Sequence, residues 1–205
     1  MRYQMILLSL LCAGCAGAGL APEFSAAQIA SEAEALIARD FQSKGAASRE
    51  RLLQRDAAQK QCSGATLEGA AAAELEAQQL ATVRYPADGK WLGDWKKGEA
   101  IAQNGRGMQS SDAAGGVNGG NCYACHQINK KEISFGNLGP SLSQYGKLRG
   151  GSEEVLRYTW AKIYNAQAYR ACSVMPRFGH QGILTEEQIR DVMALLLDPA
   201  SPVNQ

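Results

Sequence analysis

The sequence predicts an all-α protein. Apolar residues recur every three or four positions along much of the chain, as they do on the buried face of a helix. Two of these stretches begin with a capping-box pattern, Ser25 with Gln28 and Thr185 with Gln188, which marks the first turn of a helix. No βαβ unit is visible. The chain is therefore expected to fold as a series of packed helices.

Residues 1–21 have the features of a secretory signal peptide. Arg2 precedes an apolar run over residues 5–11, and small residues follow this run. The run is too short to cross a bilayer as a helix. Cleavage after Ala18 or Ala21 is expected to release the protein into a bacterial periplasm.

Cys15 offers an alternative form of the same export. It follows an Ala-Gly pair, as a lipid-modified cysteine does, but Cys12 stands three residues before it in place of the usual leucine. In either form no transmembrane segment is expected in the exported protein.

The charge balance of the chain says little about its partners. There are 21 Lys and Arg residues and 20 Asp and Glu residues, and loss of Arg2 with the signal makes the two numbers equal. Nothing in this balance indicates binding to nucleic acid or to a charged membrane surface. Any attraction to a redox partner must come from local patches of charge.

The exported chain is expected to divide near residue 90. Residues 22–90 predict a helical extension, in which a first helix begins after Ser25, a second segment covers residues 52–62 and a third covers residues 67–83. This extension contains no metal-ligand cluster, nucleophile constellation or phosphate-binding loop. It is therefore expected to pack on the second domain, residues 91–205, or on a partner.

The second domain carries the sequence Cys122-Tyr123-Ala124-Cys125-His126. Two cysteines three positions apart, followed by histidine, are the attachment signature for c-type haem. Each thiol adds to one vinyl group of the porphyrin, and one helical turn places both thiols on the same side. His126 then directs its imidazole at the iron. We therefore predict one covalently bound haem c.

Two other uses of this CxxC pair are less consistent with the sequence. A zinc site needs further ligands at suitable spacing, whereas His180 is the only other histidine and no second cysteine pair is present. A redox-active CxxC usually opens a helix that follows a strand of a βαβ unit, and no such unit is evident.

The order of segments in residues 91–205 is that of a class I cytochrome c fold, here with an N-terminal helical extension. The segments are a first helix from about Asp94, a glycine-rich loop over residues 105–120, the haem motif, a Gly-Pro-Ser-Leu segment over residues 139–142, a helix capped by Ser152, and a last helix from Thr185 to the Asp198-Pro199 pair. Gly98 permits close contact between helices. The first and last helices are expected to cross over the haem, which supplies much of the core of so small a domain.

Met175 is the predicted second axial ligand of the iron. It lies in a loop between two helices, directly before a proline, where a thioether can be held rigidly against a haem face. His180 is the alternative and would give a bis-histidine iron of lower potential. Ligation by His126 and Met175 saturates the iron, raises its potential and leaves no position for a substrate. Arg177 is expected to face a haem propionate or a partner.

Cys62 and Cys172 remain after signal removal and haem attachment. In an oxidising compartment a disulfide between them is the simplest account, and it would tie the extension to the second domain. The alternative is two separate thiols.

Several segments of the chain resemble the SoxX family. They are residues 93–99, 118–126, 139–142, 162–165, 172–179 and 195–199. The most specific are the Asn-Gly lead-in to the haem motif and the Met-Pro-Arg-Phe-Gly segment that begins at Met175. The resemblance is dense from Tyr85 onward and looser in the extension, and shorter members of the family lack such an extension.

This resemblance implies a function. SoxX proteins are monohaem cytochrome subunits of SoxAX, an L-cysteine S-thiosulfotransferase that conjugates thiosulfate to a cysteine of the carrier SoxYZ. The reacting haem of that complex belongs to SoxA, so this chain would accept the electrons and pass them to a downstream acceptor. Only Cys122, Cys125, His126 and Met175 match the family's haem ligands, and no catalytic residue is expected here. The alternative is a free-standing electron carrier.

Overall fold

A computed structural model describes residues 24–64 and 66–205 of the chain. Within this part the structure contains eight α-helices and three short 3₁₀ helices, and its one β pairing is an isolated bridge between Lys44 and Ala47. The predicted all-α class is therefore confirmed. The predicted signal peptide, residues 1–21, and its Cys12 and Cys15 lie outside the described residues.

The first helix belongs to a compact unit of its own, which ends at Phe41. This helix, α1, spans Ala26–Asp40 and begins with the predicted capping box, in which the Ser25 hydroxyl accepts a hydrogen bond from the Gln28 backbone N–H. None of its residues is buried, and Ile29 is 58% exposed.

The second unit runs from Gln42 to Gln205 and begins with three helices of the extension. These are α2 (Arg49–Leu53), α3 (Ala57–Cys62) and α4 (Gly69–Ala81). The sequence predicted one segment over residues 52–62, but the structure divides it, because the Asp56 carboxylate accepts the Gln59 N–H at 2.8 Å and so starts a new helix. Helix α4 buries Leu75 and Gln79.

Two helices that are distant in sequence cross at the centre of this unit. They are α5 (Trp95–Gln103) and α8 (Glu186–Leu197), the latter with the predicted Thr185 capping box. At the crossing, a Cβ atom added to Gly98 would lie 2.1 Å from the Asp191 carbonyl oxygen, so only glycine permits this approach. The predicted contact between the first and last helices of residues 91–205 is confirmed.

Helices α6 (Tyr145–Arg149) and α7 (Glu153–Tyr164) complete the unit, with 3₁₀ helices at Cys122–Ala124, Ala166–Ala168 and Pro202–Asn204. Ser152 caps α7 as predicted. The indole of Trp160 on α7 is fully buried and donates a hydrogen bond to the Arg84 carbonyl at 2.8 Å. The end of the extension is thus part of the core, and the domain division near residue 90 stays a prediction.

The predicted disulfide between Cys62 and Cys172 is present, with their Cα atoms 5.3 Å apart. It joins the end of α3 to the segment before α8, across a sequence separation of 110 residues. In the chain-entropy model, a disulfide that closes a loop of this length stabilises the folded state by about 4–5 kcal/mol.

The crossing of α5 and α8 gives a testable prediction. Replacing Gly98→Ala should destabilise the protein by about 1–3 kcal/mol, because the new methyl group forces the backbone of α8 away. This cost should exceed the gain of about 1 kcal/mol in helix propensity. Denaturant unfolding measures the change. Gly151→Ala is the control, since no atom lies within 4 Å of its added Cβ; equal stability of both variants would contradict the close crossing.

Candidate haem-binding site

The CxxCH motif forms a tight turn at the end of a long loop. The 3₁₀ helix Cys122–Ala124 follows Asn121, whose backbone is in the left-handed region. The N–H groups of Cys125 and His126 both donate to the Cys122 carbonyl, at 3.1 and 2.9 Å. Both cysteines are partly buried, and neither belongs to the disulfide. The turn that the spacing predicts is therefore formed by the backbone itself.

The imidazole of His126 is held by the segment that follows the motif. Its Nδ1 atom lies 2.8 Å from the Pro140 carbonyl oxygen. Since a carbonyl only accepts hydrogen bonds, Nδ1 carries the proton and Nε2 keeps a free lone pair, as a metal ligand requires. A Cβ atom on Gly139 would lie 2.1 Å from the imidazole ring, so only glycine lets the backbone lie against the ring at this position.

Cys122, His126 and Met175 meet at one cavity. The remaining walls are apolar and come from α5, α7, α8 and the loops between them: Ala102, Ile128, Leu142, Ile163, Phe178, Leu184, Val192, Leu195 and Leu196. The loop methionine chosen from sequence is therefore brought to the same cavity as the motif histidine.

His180 and Cys125 do not line this cavity. The Nε2 atom of His180 lies 4.0 Å from the Asp56 carboxylate, on the side of the extension. Burial and the nearby Arg177 guanidinium lower the pKa of His180, so its imidazole is neutral at neutral pH. This position favours Met175 over His180 as the second ligand.

The environment of the CxxC pair does not suit its two alternative uses. Burial raises the pKa of the Cys122 thiol to about 12, whereas thiol–disulfide exchange needs the thiolate. Among residues 24–64 and 66–205, no three His, Cys, Asp or Glu side chains are grouped so that they could hold a metal ion.

The residues present fit a covalently attached haem. The apolar walls suit the faces of a porphyrin, the Cys122 thiol lies at the cavity, and the His126 Nε2 atom and the Met175 thioether are available to an iron. Cys125 follows within the same turn and is partly exposed.

The expectation for Arg177 is wrong. Only 6% of this residue is exposed, and its guanidinium donates to the Asp56 carboxylate at 2.5 Å and to the Gln79 side-chain oxygen at 3.2 Å. It therefore faces the extension. Asp56 and Gln79 were not singled out from sequence, since the residues they contact lie about a hundred positions further along the chain.

Fold and site together define a small helical protein that binds haem covalently. Residues 96–198 match the family described as Cytochrome c, and the match includes both cysteines of the motif, His126 and Met175. This match covers half of the chain, which belongs to the cytochrome c family and carries covalently bound haem c. In the region that the structure describes, we find no helix both long and apolar enough to cross a membrane.

The chain is also similar to a protein of Aquifex aeolicus (strain VF5) described as an uncharacterized lipoprotein. The two are 40% identical over 168 residues, which is 80% of each chain. The similarity therefore extends beyond the part that matches the cytochrome c family.

The attachment chemistry gives a second prediction. Haem should stay with the wild-type chain in a denaturing gel stained for haem, because thioether bonds survive unfolding. The double variant Cys122→Ser, Cys125→Ser should lose the stain. The double variant Cys62→Ser, Cys172→Ser is the matched control and should keep it, since these cysteines form the disulfide. Release of haem from the wild-type chain into acid–acetone would contradict attachment at these cysteines.

Proposed function

We propose that this protein is the electron-accepting cytochrome c subunit of a periplasmic complex similar to SoxAX, which oxidatively conjugates thiosulfate to a cysteine of a carrier protein. The class of protein, a haem-binding electron-transfer cytochrome, follows from its family. The more specific function rests on the resemblance of its motifs, above all residues 118–126 and 172–179, to SoxX.

The observation that carries the proposal is the convergence of His126 and Met175 on one apolar cavity. When bound, the haem takes up and releases one electron at a time. His126 and Met175 would hold the haem iron, and with both bound no position would be left for a substrate, so the chain would transfer electrons and would not bind thiosulfate. Neither Cys62 nor Cys172 is a free nucleophile, because they are joined in a disulfide.

The stoichiometry of the reaction assigns the chemistry to a partner. A carrier thiol and thiosulfate form a sulfur–sulfur bond with loss of one proton and two electrons. A single haem accepts only one of these electrons, so the reaction needs a further redox centre, and we assign bond formation to a centre on a SoxA-like subunit. That subunit passes the electrons to this chain, which delivers them to a downstream acceptor.

A free-standing electron carrier is the alternative function. The extension favours the subunit, because a carrier needs only a domain such as residues 91–205. Here residues of α3 and α4 are bound to the second domain by a disulfide and by hydrogen bonds from Asn165 and Arg177.

The proposed location is the periplasm. The Aquifex relative is described as a lipoprotein, which favours an acyl group on Cys15 over cleavage after Ala18 or Ala21. Such an anchor would hold the exported protein at a membrane surface. The mass of the N-terminal peptide of the exported protein distinguishes the acylated form from the cleaved one.

The proposed function predicts that the isolated, haem-loaded chain cannot conjugate thiosulfate to a carrier thiol. Addition of the partner cytochrome should give the conjugate, detected by mass spectrometry, and should reduce this haem, detected by its visible spectrum. The informative comparison combines the partner cytochrome with the Met175→Ala variant of this chain. Conjugation should slow in that mixture, because the electron acceptor is altered. Conjugation by the isolated chain would place the catalytic centre here and contradict the proposal.

A further inference from the structure

The segment that carries Met175 is fastened to the extension on both of its sides. We call residues 171–181 the Met175 loop. Before Met175, Cys172 forms the disulfide with Cys62, and the Ala171 N–H donates to the Glu76 carboxylate at 2.8 Å. After Met175, Arg177 binds Asp56, which caps α3, and Gln79 of α4. The two anchor points therefore enclose the proposed iron ligand.

The contact after Met175 is a buried charge with specific partners. The guanidinium of Arg177 donates to Asp56 at 2.5 Å and to Gln79 at 3.2 Å. The Gln79 oxygen also accepts a hydrogen bond from the fully buried Asn165 at 3.0 Å. A guanidinium that is 6% exposed needs such partners, because an unpaired buried charge is strongly destabilising. Arg177 cannot move toward solvent without breaking these bonds.

The other side of Asp56 is also engaged. Its Oδ1 atom accepts the Gln59 N–H at 2.8 Å, and its Oδ2 atom, which accepts from Arg177, also accepts the Gln181 side-chain N–H at 3.3 Å. One carboxylate thus caps α3 and binds the Met175 loop at Arg177 and at Gln181. Helix α3 ends at Cys62. The charged contact at Asp56 and the disulfide at Cys62 therefore lie at opposite ends of one short helix.

We propose that α3 and α4 brace the Met175 loop, and that Asp56 and the Cys62–Cys172 disulfide are positioning groups that keep the Met175 thioether at the haem cavity. The inference rests on the proposed ligation by Met175. A loop fixed at both ends has already lost its conformational freedom, so binding of the thioether to iron costs little further entropy. A loop released at either end would leave the cavity more often and open the iron to other ligands.

Asp56→Asn tests the charged anchor with little other change. Asparagine keeps the size of the side chain and is an equally good helix cap, so α3 should still form. The charge that binds Arg177 is lost. Asp88→Asn is the matched control: it removes the carboxylate that binds Arg190 at 2.8 Å, and Arg190 lies on α8 rather than on the Met175 loop.

Binding of carbon monoxide to the haem-loaded, ferrous chain measures how often the iron is open. Asp56→Asn should bind carbon monoxide at least about tenfold faster than wild type, since a charge-assisted hydrogen bond contributes about 1.5–3 kcal/mol. The ferric form should also lose part of its far-red thioether absorption. Asp88→Asn should match wild type in both measurements.

The role of the disulfide is tested by reducing it in protein that has already folded. Dithiothreitol, which is oxidised to its cyclic disulfide, reduces Cys62 and Cys172 in the folded ferrous protein, and carbon monoxide binding should then accelerate to a similar extent. The brace would be overturned if Asp56→Asn and the reduced protein bound carbon monoxide at the wild-type rate while Met175→Ala bound it fast. The assignment of Met175 as a ligand would then stand. Slow binding in Met175→Ala itself would instead overturn the ligation on which the brace rests.

Discussion

The constraint on which this structure depends is that two side chains from distant segments must reach one apolar cavity. His126 comes from a tight turn and Met175 from a loop between helices, and the cavity between them is walled by α5, α7 and α8. Gly98 lets α5 and α8 approach, and Gly139 lets the chain lie against the imidazole. A domain of this size has a small core of its own, so a large apolar cofactor adds substantially to it.

Helices α2, α3 and α4 of the extension take part in the same compact unit as residues 91–205. They contribute a buried glutamine, a capping carboxylate and one half of the disulfide, and all three contact residues that follow α7. Polar groups inside a protein are retained when they are fully paired, and they then fix one arrangement of the chain. Such pairing is consistent with a brace for the Met175 loop, which a shorter cytochrome would have to fasten by other means.

The sequence predicts most of the fold because its main signals are local. Helices α5, α7 and α8 each begin at a capping side chain and carry an apolar face, and the haem motif is a single turn. The sequence does not predict the break between α2 and α3, because the cap at Asp56 lies within an otherwise continuous helical pattern. Elimination of the other cysteines predicts the disulfide, because only Cys62 and Cys172 remain.

The partners of Arg177 could not be predicted in this way. The contact between Arg177 and Asp56 joins residues 121 positions apart, and neither residue belongs to a motif that indicates the other. An arginine two residues after a proposed iron ligand is as well suited to a haem propionate as to a carboxylate of the chain. Only the packing of α3 and α4 decides between them.

The central claim is that His126 and Met175 both bind the iron of one haem, and the proton NMR spectrum of the ferrous, haem-loaded protein tests it most directly. The porphyrin ring current shifts the methyl resonance of an iron-bound methionine far upfield of all others. We expect this resonance in the wild-type protein and in His180→Ala, and its loss in Met175→Ala. Absence of the resonance from the wild-type protein, or its persistence in Met175→Ala, would contradict the account.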